Sequence, residues 1–314
     1  MSKFIKESIK EIAISGIRQF NQKAETIEGV IKLTLGELDF DTLPHIKEAV
    51  KWAVDNNKTR YTPNAGLEEL RKKISYRYPN YNHEEVIVTV GTTEGIAIII
   101  KSTIEAMDEV IIPTPGYVGY EPLIKIENAI VTEIDLTLSN FRITKEQLED
   151  AYSLKTKAIL ITNPNNPTGV ILTTEEMDVI RDFVLEKDIL LIVDEVYSEI
   201  DFYNKFVSFS TYKELKDNML LLDGFSKSHA MTGFRIGYII GDQLTIKELL
   251  KTHQYSVTSA TSISQYAALA AHEDDSINML DTLRERRNYL CKEFKDLNIK
   301  CVCPDGAFYV FVDI

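Results

Sequence analysis

The chain has 314 residues, 44% hydrophobic and 26% charged, with only 14 Gly and 9 Pro; this excludes a disordered or fibrous chain and leaves room for two domains or one large α/β unit. With 35 Lys and Arg against 48 Asp and Glu, the net charge is −13 and no long block of one sign offsets it. No nucleic-acid partner and no membrane partner is therefore expected, because neutralising phosphates needs a basic face; a local basic pocket for a single phosphate is compatible with that balance.

From the N-terminus, charges recur every three to four residues through Glu11, so no apolar signal region can be drawn, and purely apolar runs such as 96–100 and 189–193 are too short to span a bilayer. A cytoplasmic protein is expected. From Val86 onward short apolar runs alternate with helical patterns. The strand candidates are 86–90, 109–112, 130–134, 158–162, 189–194, 219–223 and 236–240. Between the earlier ones lie 3.6-residue periodicities such as 174–186, where Thr173 or Thr174 caps and Glu175 and Glu176 suit the positive helix end. Strands that are apolar on both faces and alternate with helices predict an α/β fold with a mostly parallel, seven-stranded sheet covered on both sides.

After Gly241 the pattern turns helical at 244–254, 264–271 and 276–297, followed by strand-like runs at 299–303 and 307–314. The sequence stops inside the last apolar run, so a small C-terminal domain is expected to be incomplete here. The predicted division is a large domain over 44–275 and a partial small domain from 1–43 and 276–314. Cys291, Cys301 and Cys303 form no CxxC pair and have no His at ligand spacing, so they are expected to be reduced and packed, with no metal site.

In open α/β sheets ligands sit beyond the carboxyl ends of the strands, and polar clusters fall there. Gly91, Thr92 and Thr93 follow the first strand in a small-residue turn that opens a helix; such a turn offers N–H groups and hydroxyls to an anion, or is an ordinary N-cap. After Thr162 comes NPNNPTG (163–169), where a cis bond or rigid bend before Pro167 could aim Asn166 into a cleft, or merely stiffen a connection. Asp194 ends a buried strand in DEVY (194–197) and needs a cation or donor, whether functional or structural. Lys227 sits among small residues in GFSKSHAMTGFRIG (224–237), with Arg235 eight residues on. A lysine in a crowded loop is either solvated or, if desolvated, a Schiff-base candidate. GxxxxGK[ST], GxGxxG after a first strand, HExxH and GxSxG are all missing, and His45, His83, His229, His253 and His272 are scattered, His229 being the one that could lie near this loop.

These motifs, together with LGELDF (35–40), YTPNAG (61–66) and GAFYVF (306–311), make the chain resemble, over its whole length, the pyridoxal-phosphate-dependent class I/II aminotransferases of fold type I. The spacings agree: 28 residues from Asn166 to Asp194, three from Asp194 to Tyr197 and eight from Lys227 to Arg235. The resemblance implies the cofactor pyridoxal 5′-phosphate and catalytic roles for Lys227, Asp194 and Tyr197. Lys227 would carry the cofactor and move the proton between Cα and C4′. Asp194 would keep the ring nitrogen protonated. Tyr197 and Asn166 would bond the ring's phenolic oxygen, and Tyr117 would stack on its face. Gly91, Thr92, Thr93, Arg235 and, less closely matched, Ser226 would hold the phosphate, Gly224 standing where the family often has its phosphate serine. Tyr61 would reach the phosphate of a partner subunit, implying a homodimer, and Gly36 and Asn166 would line the substrate site.

ISGIRQF (14–20), KSHAMTG (227–233) and 253–265 are similar to the bacterial aminotransferase A branch, acting on aromatic amino acids or N-acetyl-L,L-diaminopimelate. Leu38 and Phe234 depart from the usual Pro and Trp, and relatives continue into a carboxylate-binding arginine beyond residue 314. Amino-group exchange between an amino acid and a 2-oxo acid is the expected reaction. A carbon–sulfur β-lyase and a catalytically silent cofactor binder are the alternatives.

Overall fold

The computed structural model describes residues 3–33, 35–271, 275 and 277–313. Helices α1 (Glu7–Lys10) and α2 (Gly16–Glu25) precede an extended segment that leads to α3 (Pro44–Asp55) and α4 (Glu68–Ser75). Pro44 opens α3, where its missing N–H costs no hydrogen bond. Then follow β1 (Val86–Thr89), α5 (Gly91–Thr103), β2 (Glu109–Thr114), α6 (Tyr120–Ile126), β3 (Ile130–Asp135), α7 (Lys145–Ala151), β4 (Thr156–Thr162), α8 (Thr174–Lys187), β5 (Leu190–Asp194), β6 (Met219–Gly224) and β7 (Gly237–Ile240). Thr173 caps α8 as expected, its hydroxyl accepting from Glu176 N while the Glu176 carboxylate accepts from Thr173 N.

All seven expected strands form one sheet, in the order β1-β7-β6-β5-β4-β2-β3. The pairs from β3 to β6 are parallel, and β7 runs antiparallel to both β6 and β1. The reversal follows from the connection: residues 225–236 hold only one 3-10 turn (Thr232–Phe234), too little for the helical crossover that a parallel return requires. Alternate strand residues enter opposite layers. Val88, Ile111, Ile159 and Leu221 pack with α4 and α8, whereas Ile87, Val110, Leu160 and Leu222 pack with α5 and α9 (Gln243–Val257). Two-sided coverage leaves the carboxyl edge of the sheet as the accessible place for chemistry.

Beyond α10 (Ser262–Ala270), α11 (Ile277–Asp296) leads to a two-stranded antiparallel ladder of β8 (Cys301–Val302) and β9 (Phe311–Val312), shorter than the expected runs. Ser276 and Ile314, at the bounds of those runs, and His272 lie outside the described residues. A third apolar cluster joins Leu38, Phe40, Leu280 and Leu283 to Tyr197, Ile200 and Phe202. The cysteines correct an expectation. Cys291 and Cys303 form a disulfide and only Cys301 is free, because the chain turns back after α11 and brings the two Cα atoms to 5.8 Å. Their spacing of twelve residues carries no sign of that return. Among the described residues no helix is long and apolar enough to cross a membrane.

Candidate active site

Five loops converge beyond the carboxyl ends of β1, β2, β4, β5 and β6. The loop after β6 carries Lys227, whose Nζ donates to the Gly36 carbonyl at 2.6 Å. Burial pushes the Lys227 ammonium down from its ordinary value, Glu37 and Asp194 oppose that shift, and Arg235 adds to it. Ser226 is buried in the same loop, and His229 is buried behind it, with Nδ1 2.7 Å from Ser228 Oγ. Asp194 ends β5, fully buried, and its hydrogen bonds come from neutral donors: Val196 N at 3.2 Å and the Tyr120 hydroxyl at 3.0 Å. Desolvation therefore lifts its carboxyl to about 6, against the pull of those two donors. Such a carboxylate is poised to ionise fully once a cation meets it.

Asn166, in the loop after β4, donates from Nδ2 to the Tyr197 hydroxyl at 3.3 Å; the peptide bond before Pro167 is cis. Burial raises Tyr197 well above the ordinary phenol value. Tyr117 follows β2 and meets Tyr120 edge-on at 5.2 Å. Its ring lies where a side chain on Gly119 would stand, 2.4 Å from the position of a Cβ there. Gly91 opens α5 at φ +74°, with Thr92 and Thr93 completing the first turn. The Arg235 guanidinium lies across that turn, so close that a Cβ on Gly91 would come within 2.6 Å of Nη2. A Cβ on Gly237 would likewise stand 2.8 Å from Thr92 N. These glycines leave a helix start free of side chains beside a guanidinium, which is the composition of a phosphate cradle.

The expected residues thus gather in one cleft, with Gly36 forming its lid over Lys227. Tyr61 stands apart, 89% exposed on the loop between α3 and α4. Three further side chains join the cleft that the motifs do not single out. Tyr120 and Thr162, whose oxygens are 2.6 Å apart, stand behind Asp194. Tyr309 puts its hydroxyl 2.7 Å from that of Tyr197, and burial raises it to about 12. Their signals were present as the second Tyr of PGYVGY (115–120) and the Tyr of GAFYVF, yet neither string says what the ring would touch.

The sheet topology is that of one family. The family described as Aminotransferase class I and II matches residues 28–314. A probable N-acetyl-LL-diaminopimelate aminotransferase of Bacillus subtilis is 39% identical over 100% of this chain and 82% of its own length. The aromatic-amino-acid aminotransferase 2 of Thermococcus litoralis is 32% identical over 98% of this chain and 82% of its own. Among solved structures, the aspartate aminotransferase from Thermus thermophilus with maleate superposes with a TM-score of 0.93 at 31% identity, covering 99% of this chain and 85% of that one. The chain belongs to the class I and II aminotransferases. It is accordingly a pyridoxal-phosphate enzyme that moves an amino group between an amino acid and a 2-oxo acid.

Proposed function

We propose that Lys227, Asp194 and Tyr197 carry the transamination, with the cofactor's phosphate on Gly91, Thr92, Thr93, Ser226 and Arg235, its ring against Tyr117, and its phenolic oxygen facing Tyr197 and Asn166. The observation that carries this reading is a desolvated lysine held 2.6 Å from the Gly36 carbonyl above a buried aspartate that meets only neutral donors. When bound, pyridoxal phosphate supplies a carbonyl carbon for the amino group and an electron sink. Lys227 would hold it and, with its proton affinity lowered by burial, would serve as the base that moves the proton between the substrate Cα and C4′. Asp194 accepts the ring N–H and so stays ionised. Gly36 and Asn166 orient the substrate, and the stack on Tyr117 fixes the plane.

We assign residues 44–275 to a large domain and 1–43 with 276–314 to a small one, the Leu280–Leu38–Tyr197 cluster being their contact. A homodimer completes the reading. Ile14, Phe20, Ile31 and Leu33 face water in a single chain at 62–91% exposure, and Tyr61 is free to reach a second subunit's phosphate. The amino donor is an aromatic amino acid or N-acetyl-L,L-diaminopimelate, on the similarity to relatives so named. The setting is the cytoplasm, where free amino and 2-oxo acids meet.

Borohydride reduction of the yellow protein should fix the cofactor on the peptide containing Lys227, and Lys227→Ala should bind cofactor yet lose turnover by orders of magnitude. An active Lys227→Ala enzyme overturns the assignment. Mixing inactive Lys227→Ala and Tyr61 variants should restore one intact site per mixed dimer, and an active monomer on sedimentation contradicts the composite site. A donor screen and cell fractionation test the substrate and the compartment.

A further inference from the structure

Tyr309 has no part in the roles above, yet its hydroxyl touches Tyr197, which does. It lies 2.7 Å from Tyr197 OH, and its ring stacks on Phe308 with centroids 4.7 Å apart. Phe308 in turn stands 5.5 Å from Lys227 Nζ. The space for the Tyr309 hydroxyl exists because residue 36 is glycine: a Cβ there would stand 2.3 Å from that oxygen.

The hydrogen inventory decides what such a contact does. A phenol has one hydrogen to give and two lone pairs to receive with. Asn166 Nδ2 can only donate, so it occupies one lone pair of the Tyr197 oxygen. Between the two phenols either can be the donor. If Tyr197 donated to Tyr309, its single hydrogen would be used there and none would remain for the cleft. If Tyr309 donates, Tyr197 is a double acceptor and its own hydrogen must point into the cleft. Resting on the role read above for Tyr197, we propose that Tyr309 is a positioning residue that donates to Tyr197 in the loaded enzyme and thereby commits the Tyr197 hydrogen to the cofactor's phenolic oxygen.

The contact also polarises Tyr197: an oxygen that receives two hydrogen bonds is a stronger donor through its remaining O–H. Removing the Tyr309 hydroxyl should therefore weaken, and partly misdirect, donation to the phenolic oxygen. Less donation leaves that oxygen more basic, and the cofactor chromophore should take up its proton at higher pH.

The test is a pH titration of visible absorbance on the cofactor-loaded protein, with cofactor affinity measured by titrating the apoprotein. Tyr309→Phe keeps the ring and its stack on Phe308, and Gly36→Ala displaces the hydroxyl while keeping Tyr309. Both should raise the absorbance midpoint by roughly 0.5–1 pH unit, a threefold to tenfold change in proton affinity. Tyr197→Phe should raise it further, and Tyr309→Phe added to Tyr197→Phe should shift it no more, since the effect passes through Tyr197. A Tyr309→Phe midpoint equal to wild type, with Tyr197→Phe shifted, overturns the proposal and leaves the role of Tyr197 standing. A full Tyr309→Phe shift in the Tyr197→Phe background overturns it too. No shift in Tyr197→Phe itself removes the role of Tyr197 and the proposal with it.

Discussion

Asp194 gives a prediction whose size follows from its surroundings. Its carboxyl is lifted from 3.8 to about 6 in the apo fold, chiefly by burial. A group held that far above its unfolded value stabilises the fold below pH 4 and loses that contribution as pH rises through about 6. The shift is roughly two units, so at about 1.4 kcal/mol per unit the ionised form should cost the apoprotein roughly 3 kcal/mol above pH 7. Asp194→Asn removes the titration and keeps an acceptor for Tyr120. In urea unfolding of the two apoproteins, the stability of the Asn variant relative to wild type should climb by about 3 kcal/mol between pH 4 and 7 and then level off. Other buried acids such as Glu195, itself raised to about 8, cancel in the difference because both proteins contain them. Pyridoxal phosphate should reverse the order: its ring N–H meets the carboxylate, so at pH 7.5 it should bind the Asn variant roughly ten- to a hundredfold more weakly, the worth of one charge-assisted hydrogen bond. A stability difference independent of pH, or equal cofactor affinity, refutes the argument that Asp194 is a desolvated acid awaiting a cation.

Tyr120→Phe removes a donor from the Asp194 carboxylate, so the same stability transition should move to higher pH, as the unfolding series of that variant will show. Gly91→Ala places a Cβ at φ +74° within 2.6 Å of the Arg235 guanidinium, and should weaken cofactor affinity by at least about tenfold in an absorbance titration. Cys291→Ser opens a loop closed across twelve residues and should cost about 2–3 kcal/mol in denaturant, a loss that dithiothreitol reproduces in wild type and does not add to in the variant. Alkylating thiols in intact cells before lysis then reads how much of the pair is closed where the protein works.

Much of this molecule is legible without coordinates. A strand buried on both faces must be apolar throughout, so runs such as 189–194 and 219–223 announce β5 and β6 to within a residue or two. The ends of those runs place Asp194 and the Lys227 loop at one edge of the sheet. The spacing from Asn166 to Arg235 ties the cluster to one cofactor through resemblance. What the string of residues leaves open has a common cause. An apolar run reads the same in both directions, so the antiparallel course of β7 emerges only when the short 225–236 connection proves unable to cross over. Tyr309 and Tyr197 lie 112 residues apart, and Tyr120 and Asp194 lie 74 apart. Cys291 meets Cys303 only because α11 ends and the chain turns back. Local patterning determined which elements form and which side chains end them. Which hydroxyl donates to which, and which sulfurs meet, depended on distances between elements that only the packed sheet and its flanking layers define.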